Sequence, residues 1–243
     1  MRRELLAKDG PEIRGMFGRI AHRYDLLNRT LSLGMDVSWR RVLARRVAAA
    51  RPRLVLDVCT GTADVALSME GAEVMGADFC LPMLALARDK AAAEKRPLPL
   101  FGADALELPL PDGAVDVVTV AFGVRNFSDL ELGLAELVRI LRPGGSLFVL
   151  EFSRPRGVLA PVLGWWSRSV PPLVGRILSG DREAYSYLPA SVSAFPEGPA
   201  MCRLLEAAGL EAIAERRLTG GVATLYEGVR GGGDRTVVSG GAG

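Results

Sequence analysis

The chain has 243 residues, 49% of them apolar, with 30 basic and 28 acidic side chains for a formal net charge of +2. That composition gives a globular chain with a sizeable core and excludes a disordered one, and the near balance of charge argues against a protein that coats nucleic acid. A single histidine, His22, and three cysteines far apart, Cys59, Cys80 and Cys202, exclude a histidine-rich metal centre, a zinc ribbon and a disulfide framework, and suit a reducing cytosol.

Met1 to Leu6 lead into charged residues rather than an apolar core, so no secretory signal is expected, and no run of about 18 apolar residues marks a membrane span. Residues 12–50 read as helical: Ile13, Met16, Phe17 and Ile20 recur at helical spacing, as do Trp39, Val42, Leu43 and Val47. Asn28 to Gly34 reads as a break between two helices, and Pro52 ends the segment. Charge gathers here, with +8 over residues 1–53 and −6 over residues 54–243. Solvated helix faces account for the excess; a basic face toward an anionic lipid or ligand is the sharper alternative.

A second rhythm starts at Leu54. The run Leu54 to Val58 reads as a strand, Thr60-Gly61-Thr62 as a tight turn, and the apolar-periodic stretch after it as a helix. Glu73 to Asp78 is a second strand, residues 81–95 a helix, and Leu98 to Phe101 a weaker strand ending near Asp104. Val115 to Val120 is the fourth strand; Leu130 to Leu141 is a helix stopped by Pro143-Gly144-Gly145, and Ser146 to Phe152 is the fifth strand. Strands alternating with helices five times predict a doubly wound parallel sheet.

Residues 154–196 break the alternation with six prolines, Trp165, Trp166, Tyr185, Tyr187 and Phe195, and read as a helical cap and loop inserted over the sheet. A helix near Gly198 to Ala208 follows, then strands near Ala212 to Leu218 and Ala223 to Val229 joined by a hairpin turn at Gly220-Gly221. Residues 231–243 hold six glycines and no apolar pattern, the composition of a disordered tail. The expected organisation is thus an N-terminal helical segment over 1–53, a sheet domain over 54–230 and the tail.

In such a sheet the ligand sits at the carboxyl ends of the strands, where strand order reverses. The first turn, Asp57 to Asp64, is neither a dinucleotide fingerprint nor a phosphate loop, and its two carboxylates repel phosphate. They suit a ligand with a cationic end and sugar hydroxyls, which describes S-adenosylmethionine. Asp78, 21 residues after Asp57, is placed to accept from both ribose hydroxyls, and Asp104-Ala105 to offer an acid and a backbone amide to adenine. A strand-end Asp is commonly just a helix cap, so the weight rests on three acids after three consecutive strands.

Leu56 to Thr62, Gly76-Ala77-Asp78-Phe79, Asp104-Ala105 and Leu141 to Gly145 resemble the motifs of class I methyltransferases. Phe17 to Asn28, Ala121-Phe122-Gly123-Val124-Arg125-Asn126, Leu150-Glu151-Phe152-Ser153 and Tyr185-Ser186-Tyr187-Leu188-Pro189 narrow this: together the chain resembles the ubiquinone/menaquinone biosynthesis C-methyltransferase family from about Met16 to Arg230. The resemblance implies a class I S-adenosylmethionine-dependent methyltransferase fold. Its sheet is seven-stranded, mostly parallel and doubly wound, with N-terminal helices and a helical cap insertion. Two departures stand out. Cys59 and Ala63 occupy positions often held by glycine, and Ala63 does not readily adopt positive φ; Ala121 replaces a hydroxyl residue found in some relatives.

The implied reaction is methyl transfer from S-adenosylmethionine to a ring carbon of a reduced, polyprenylated quinone precursor, either a naphthoquinol or a benzoquinol. Phenolate attack on a sulfonium requires no Lewis acid, so no metal is expected. Asp57, Gly61, Thr62, Asp78, Asp104 and Ala105 are the implied cofactor contacts. Arg125 and Asn126 are candidates to stabilise the developing ring anion, Arg125 alternatively to position a water rather than take a proton itself; pairing of Arg125 with a surface acid such as Asp129 is the structural alternative. Tyr24, Asp25, Tyr185 and Tyr187 are candidates to bind the acceptor, with His22, Tyr24 or Asp25 taking its proton. Trp165, Trp166, Leu173, Val174, Ile177 and Leu178 suit a prenyl channel, or equally a packed cap. The implied partners are the quinol, transient contact with a membrane surface or with quinone-pathway enzymes, and a second copy of the chain; nucleic acid is not among them. The expected location is the cytoplasm, at most peripheral at the inner face of the membrane. Methylation of another lipid or small molecule is the alternative within this class, and a non-catalytic adaptor on the same fold is the alternative outside it.

Overall fold

The computed structural model describes residues 15, 16, 18, 19, 21, 25, 29, 30, 32–156 and 190–232. Helix α1 spans Met35–Ala49, and β1 (Leu54–Val58), α2 (Asp64–Ser68), β2 (Glu73–Asp78), α3 (Leu81–Ala93) and β3 (Leu100–Gly102) follow. Next come β4 (Val115–Ala121), α4 (Leu130–Arg139), β5 (Leu141–Phe152), α5 (Pro199–Ala207), β6 (Leu210–Leu218) and β7 (Ala223–Arg230). The strands form one seven-stranded sheet in the order β3-β2-β1-β4-β5-β7-β6. Pairings within β1 to β5 are parallel, while β7 runs antiparallel to both β5 and β6. Strand order reverses between β1 and β4, which sets the ligand crevice at their carboxyl ends.

Successive strand residues point to opposite faces, so a sheet covered on both sides reads as a continuous apolar run. Leu56, Val58, Val118, Val120, Leu147 and Val149 pack under Leu134 and Leu137 of α4 and Met201 and Leu205 of α5. Their neighbours Val55, Val117, Phe148 and Leu150 pack on the other face against Trp39, Leu43 and Val47 of α1 and Ala87 and Ala91 of α3. The helical spacing read in α1 is therefore its contact stripe.

Most expected elements lie within a few residues of their observed bounds. One boundary needs correction. Pro143-Gly144-Gly145 does not stop a helix that runs to Leu141; α4 ends at Arg139, and Leu141 already pairs with Val115 in the sheet. The register then jumps, Val117 facing Ser146, so Arg142 to Gly145 form a bulge inside β5. Only glycine fits its end, because a Cβ on Gly145 would lie 2.8 Å from the carbonyl oxygen of Asp116.

Most of the expected cap over 154–196 lies outside the described residues, as do most of the first 31 residues and the tail beyond residue 232. Among the described residues no helix is long and apolar enough to cross a membrane. The basic excess of 1–53 is partly neutralised from outside the segment: Arg40 pairs with Asp64 and Arg46 with Glu227.

Candidate active site

A cleft opens at the carboxyl ends of β1, β2 and β4. Its floor is the turn after β1. Cys59, Gly61 and Ala63 all lie in the left-handed region, at φ +55°, +57° and +66°. Ala63 thus takes the conformation expected to resist it. Two non-glycine residues there cost roughly 1–2 kcal/mol each, and surrounding contacts hold them. Thr60 donates its N–H to the Ala77 carbonyl at 3.0 Å and its hydroxyl to Asp57 at 2.7 Å, while Ala63 is fully buried. Cys59 in turn crowds the opposite wall. A Cβ on Gly123 would sit 2.6 Å from the Cys59 Cβ, so only glycine closes the loop after β4 against this turn.

Asp78, 7% exposed, lines the cleft. The Gly61 N–H donates to its Oδ2 and the Cys80 N–H to its Oδ1, each at 2.8 Å. These bonds, joined by one from the Phe79 backbone, fix the carboxylate. Burial raises its pKa despite them. Asp104 and Ala105 line the same cleft, and the Leu106 N–H donates to Asp104 Oδ1 at 2.9 Å. Asp57 is more deeply buried beneath the turn, taking hydroxyl hydrogen bonds from Thr60 at 2.7 Å and Thr119 at 2.6 Å. Burial pushes its carboxyl up to about 6, the two hydroxyls opposing that rise. The Cys59 thiol is likewise raised, first by burial and then by Asp78 and Asp57 nearby. Among the described residues, Asp78 and Asp104 are the charged side chains of the cleft lining, and no Lys or Arg contributes to it.

A smaller lobe of about 390 Å³ shares Cys59, Gly61, Ala121 and Phe122 with the main cleft and adds Asp25, Arg40, Asp57, Thr62 and Asp64. Here the N-terminal segment meets the turn. The Thr62 hydroxyl donates to Asp25 at 2.6 Å, and the Lys90 ammonium pairs with Asp25 at 2.6 Å and with Asp64. Arg40 joins Asp64 to Asp36, 3.0 Å from the latter. Burial acts against the charges of Asp64 and Lys90, yet the cations hold the Asp64 carboxyl below its ordinary range and the acids hold the Lys90 ammonium above its own.

The wall after β4 carries Ala121, Phe122, Gly123 and Asn126. Sequence reading places Arg125 at the acceptor beside Asn126; the structure turns it away. Its Nη1 donates to Glu151 at 2.8 Å and to the Phe122 carbonyl, and it is absent from the cleft lining. The Asp129 carboxylate caps α4 by accepting from the Leu132 N–H at 3.0 Å. Asp25, expected at the acceptor, faces the smaller lobe. Tyr24, Tyr185, Tyr187, His22, Trp165, Trp166, Leu173, Val174, Ile177 and Leu178 lie outside the described residues.

Sequence reading missed Glu151, Arg40, Lys90 and the aromatic cluster. Phe122 stacks on Phe152 with centroids 4.5 Å apart, and Trp39 meets each ring at 6.1 Å. Glu151 had a usable signal: like Asp78, it is an acid at the carboxyl end of an apolar strand. Lys90 had none, because its partners are 26 or more residues away; for Arg40 the spacing to Asp36 signals only a helix-face pair, and its tie to Asp64, 24 residues on, had no local signal.

An acidic, phosphate-repelling cleft at the reversal point of this sheet defines a class I methyltransferase architecture. Solved structures share it. A possible histamine N-methyltransferase from Thermotoga maritima superposes with a TM-score of 0.61 at 19% identity, over 89% of this chain and 99% of that one. The [4+2]-cyclase SpnF superposes at 0.58 with 18% identity, over 79% and 82%; at these identities only the fold is shared. The chain belongs to the ubiE/COQ5 methyltransferase family, whose model matches residues 6–230. It is similar to a demethylmenaquinone methyltransferase of Thermus thermophilus, 49% identical over 88% of this chain and all of that protein. A ubiquinone/menaquinone biosynthesis C-methyltransferase of Syntrophotalea carbinolica is 42% identical over 92% and 96%. The protein is thus an S-adenosylmethionine-dependent methyltransferase.

Proposed function

We propose that this enzyme methylates a ring carbon of a polyprenylated quinol, and that demethylmenaquinol is its acceptor. The observation that carries the reading is full-length similarity to relatives named for that reaction, at 49% and 46% identity. The benzoquinol reaction is the second reading, favoured by relatives whose names include ubiquinone.

The cleft suits the methyl donor. Its acidic lining matches a ligand that is cationic and lacks phosphate, and in this reading the fixed Asp78 carboxylate accepts from the ribose hydroxyls. In this reading Asp104 and the Ala105 N–H take the adenine edge, while Asp57, Gly61 and Thr62 face the amino-acid end. When bound, the donor supplies a methyl group already activated on a sulfonium. The protein's task is then orientation and charge. Holding carbon and methyl in line is worth up to about 7–11 kcal/mol, and a neutral donor beside the ring oxygen stabilises the phenolate. Asn126 is that donor. Arg125 keeps its charge behind the same turn. Tyr24, Tyr185 and Tyr187 complete the acceptor side in this reading, with residues 1–53 and 154–196 covering a domain of 54–230 and residues 231–243 as a tail. The apolar prenyl chain brings the enzyme to a membrane surface at least transiently.

Mass spectrometry of products from demethylated naphthoquinol and benzoquinol tests the assignment. Methylation of the naphthoquinol is expected; exclusive methylation of the benzoquinol moves the enzyme to the second reading.

A further inference from the structure

Glu151 is a buried acid that this reaction leaves unused. It ends β5 next to the cleft at 1% exposure. Its carboxylate accepts from Arg125 Nη1 and from the Phe152 N–H, both at 2.8 Å, and faces the Arg125 backbone N–H at 3.4 Å. The Arg125 guanidinium also donates to the Phe122 carbonyl and lies 5.4 Å above the Phe152 ring. Phe122 donates its own N–H to the Leu150 carbonyl at 2.7 Å. The turn after β4 is therefore tied to β5 at its start and at its middle.

That turn needs holding. Phe122 sits at φ +58°, a conformation that a bulky L residue rarely keeps without support. Three residues further the 3₁₀ turn Val124–Asn126 closes, and its last residue lines the cleft while Arg125 does not. A buried ion pair is a poor source of net stability compared with apolar residues of the same volume. It is a good source of fixed geometry, because a guanidinium binds a carboxylate in few orientations.

We propose that Glu151 is a positioning residue for methyl transfer: through Arg125 it holds the Phe122–Asn126 turn in the form that presents Asn126 to the acceptor. This rests on the assignment of Asn126 made above.

The test uses Glu151→Gln in the full chain, with steady-state kinetics, cofactor calorimetry and amide hydrogen exchange. Turnover is expected to fall on the order of 50-fold, with the quinol KM and cofactor Kd staying within about threefold. Exchange in residues 122–128 is expected to speed up, with that of residues 57–62 unchanged. Wild-type turnover, or a change confined to KM, overturns the proposal. Should the variant not fold, Arg125→Met/Glu151→Met replaces it, since removing both charges avoids a lone buried one. A folded, cofactor-binding double variant that stays slow supports the proposal, and one with full turnover overturns it. Failure of the wild-type protein to methylate either quinol sinks the functional reading alone. Hydrogen exchange then decides the clamp, and unchanged protection of residues 122–128 in Glu151→Gln overturns it.

Discussion

The ends of β1, β2 and β3 hold their acids with neutral N–H and hydroxyl donors, whereas the end of β5 holds its acid with a guanidinium beside stacked rings. On the first side Asp78 is fixed by the N–H groups of Gly61 and Cys80, and Asp57 by hydroxyls of its own turn and of Thr119. On the second side Glu151 meets Arg125, 26 residues away, and Phe122 meets Phe152 and Trp39. A buried ion pair consumes its carboxylate in shaping the wall. In the proposed reading, carboxylates at equivalent strand ends thus serve binding on one side and positioning on the other.

Substitutions can break this contrast. The largest effect is expected from Asp78→Ala, which removes an ionised acceptor worth about 1.5–3 kcal/mol per hydrogen bond. Cofactor affinity by calorimetry should fall at least ~100-fold, and unchanged affinity would remove Asp78 from the cofactor side. Asn126→Ala should act on the other side only. Loss of one donor to a developing oxyanion lowers turnover on the order of 100-fold, with cofactor Kd unmoved; a loss of cofactor affinity instead would erase the division.

Asp57→Asn sharpens the contrast through pH. Burial raises the Asp57 carboxyl from 3.8 to about 6 in the folded chain. The unfolded state ionises first, so the favourable contribution of the protonated acid is complete below about pH 4 and is lost as pH rises through about 6. Asparagine removes that loss, and denaturant unfolding should show a gain of about 2–3 kcal/mol at pH 7 and little at pH 4. A gain equal at both pH values would contradict the assignment. The smallest effect is expected from Lys90→Met, which removes the ion pairs of Asp25 and Asp64 and leaves the Thr62 hydrogen bond to Asp25. These groups are partly exposed, so the cost is about 0.5–1 kcal/mol and shrinks in high salt; a salt-independent loss would assign Lys90 to packing.

The same contrast explains what was legible in the sequence. Element order and sheet class follow from local periodicity, and the cofactor acids follow one rule, an Asp at the end of each early strand. Arg125 was legible as special but not in its direction, because its partner is set by the pairing of β4 with β5. The left-handed Cys59 and Ala63 ran against backbone preference, and neighbouring burial overrode it. The bulge at Pro143 to Gly145 looked like a helix stop because the same residues serve both purposes.

The central claim is ring methylation of a quinol by the residues of this cleft. Its most direct test is incubation of the purified chain with demethylmenaquinol and methyl-labelled S-adenosylmethionine, followed by mass spectrometry of the quinone. The account expects one labelled methyl on the ring, formed at a rate that falls in Asn126→Ala. A folded, cofactor-binding enzyme that labels neither the naphthoquinol nor the benzoquinol would contradict it.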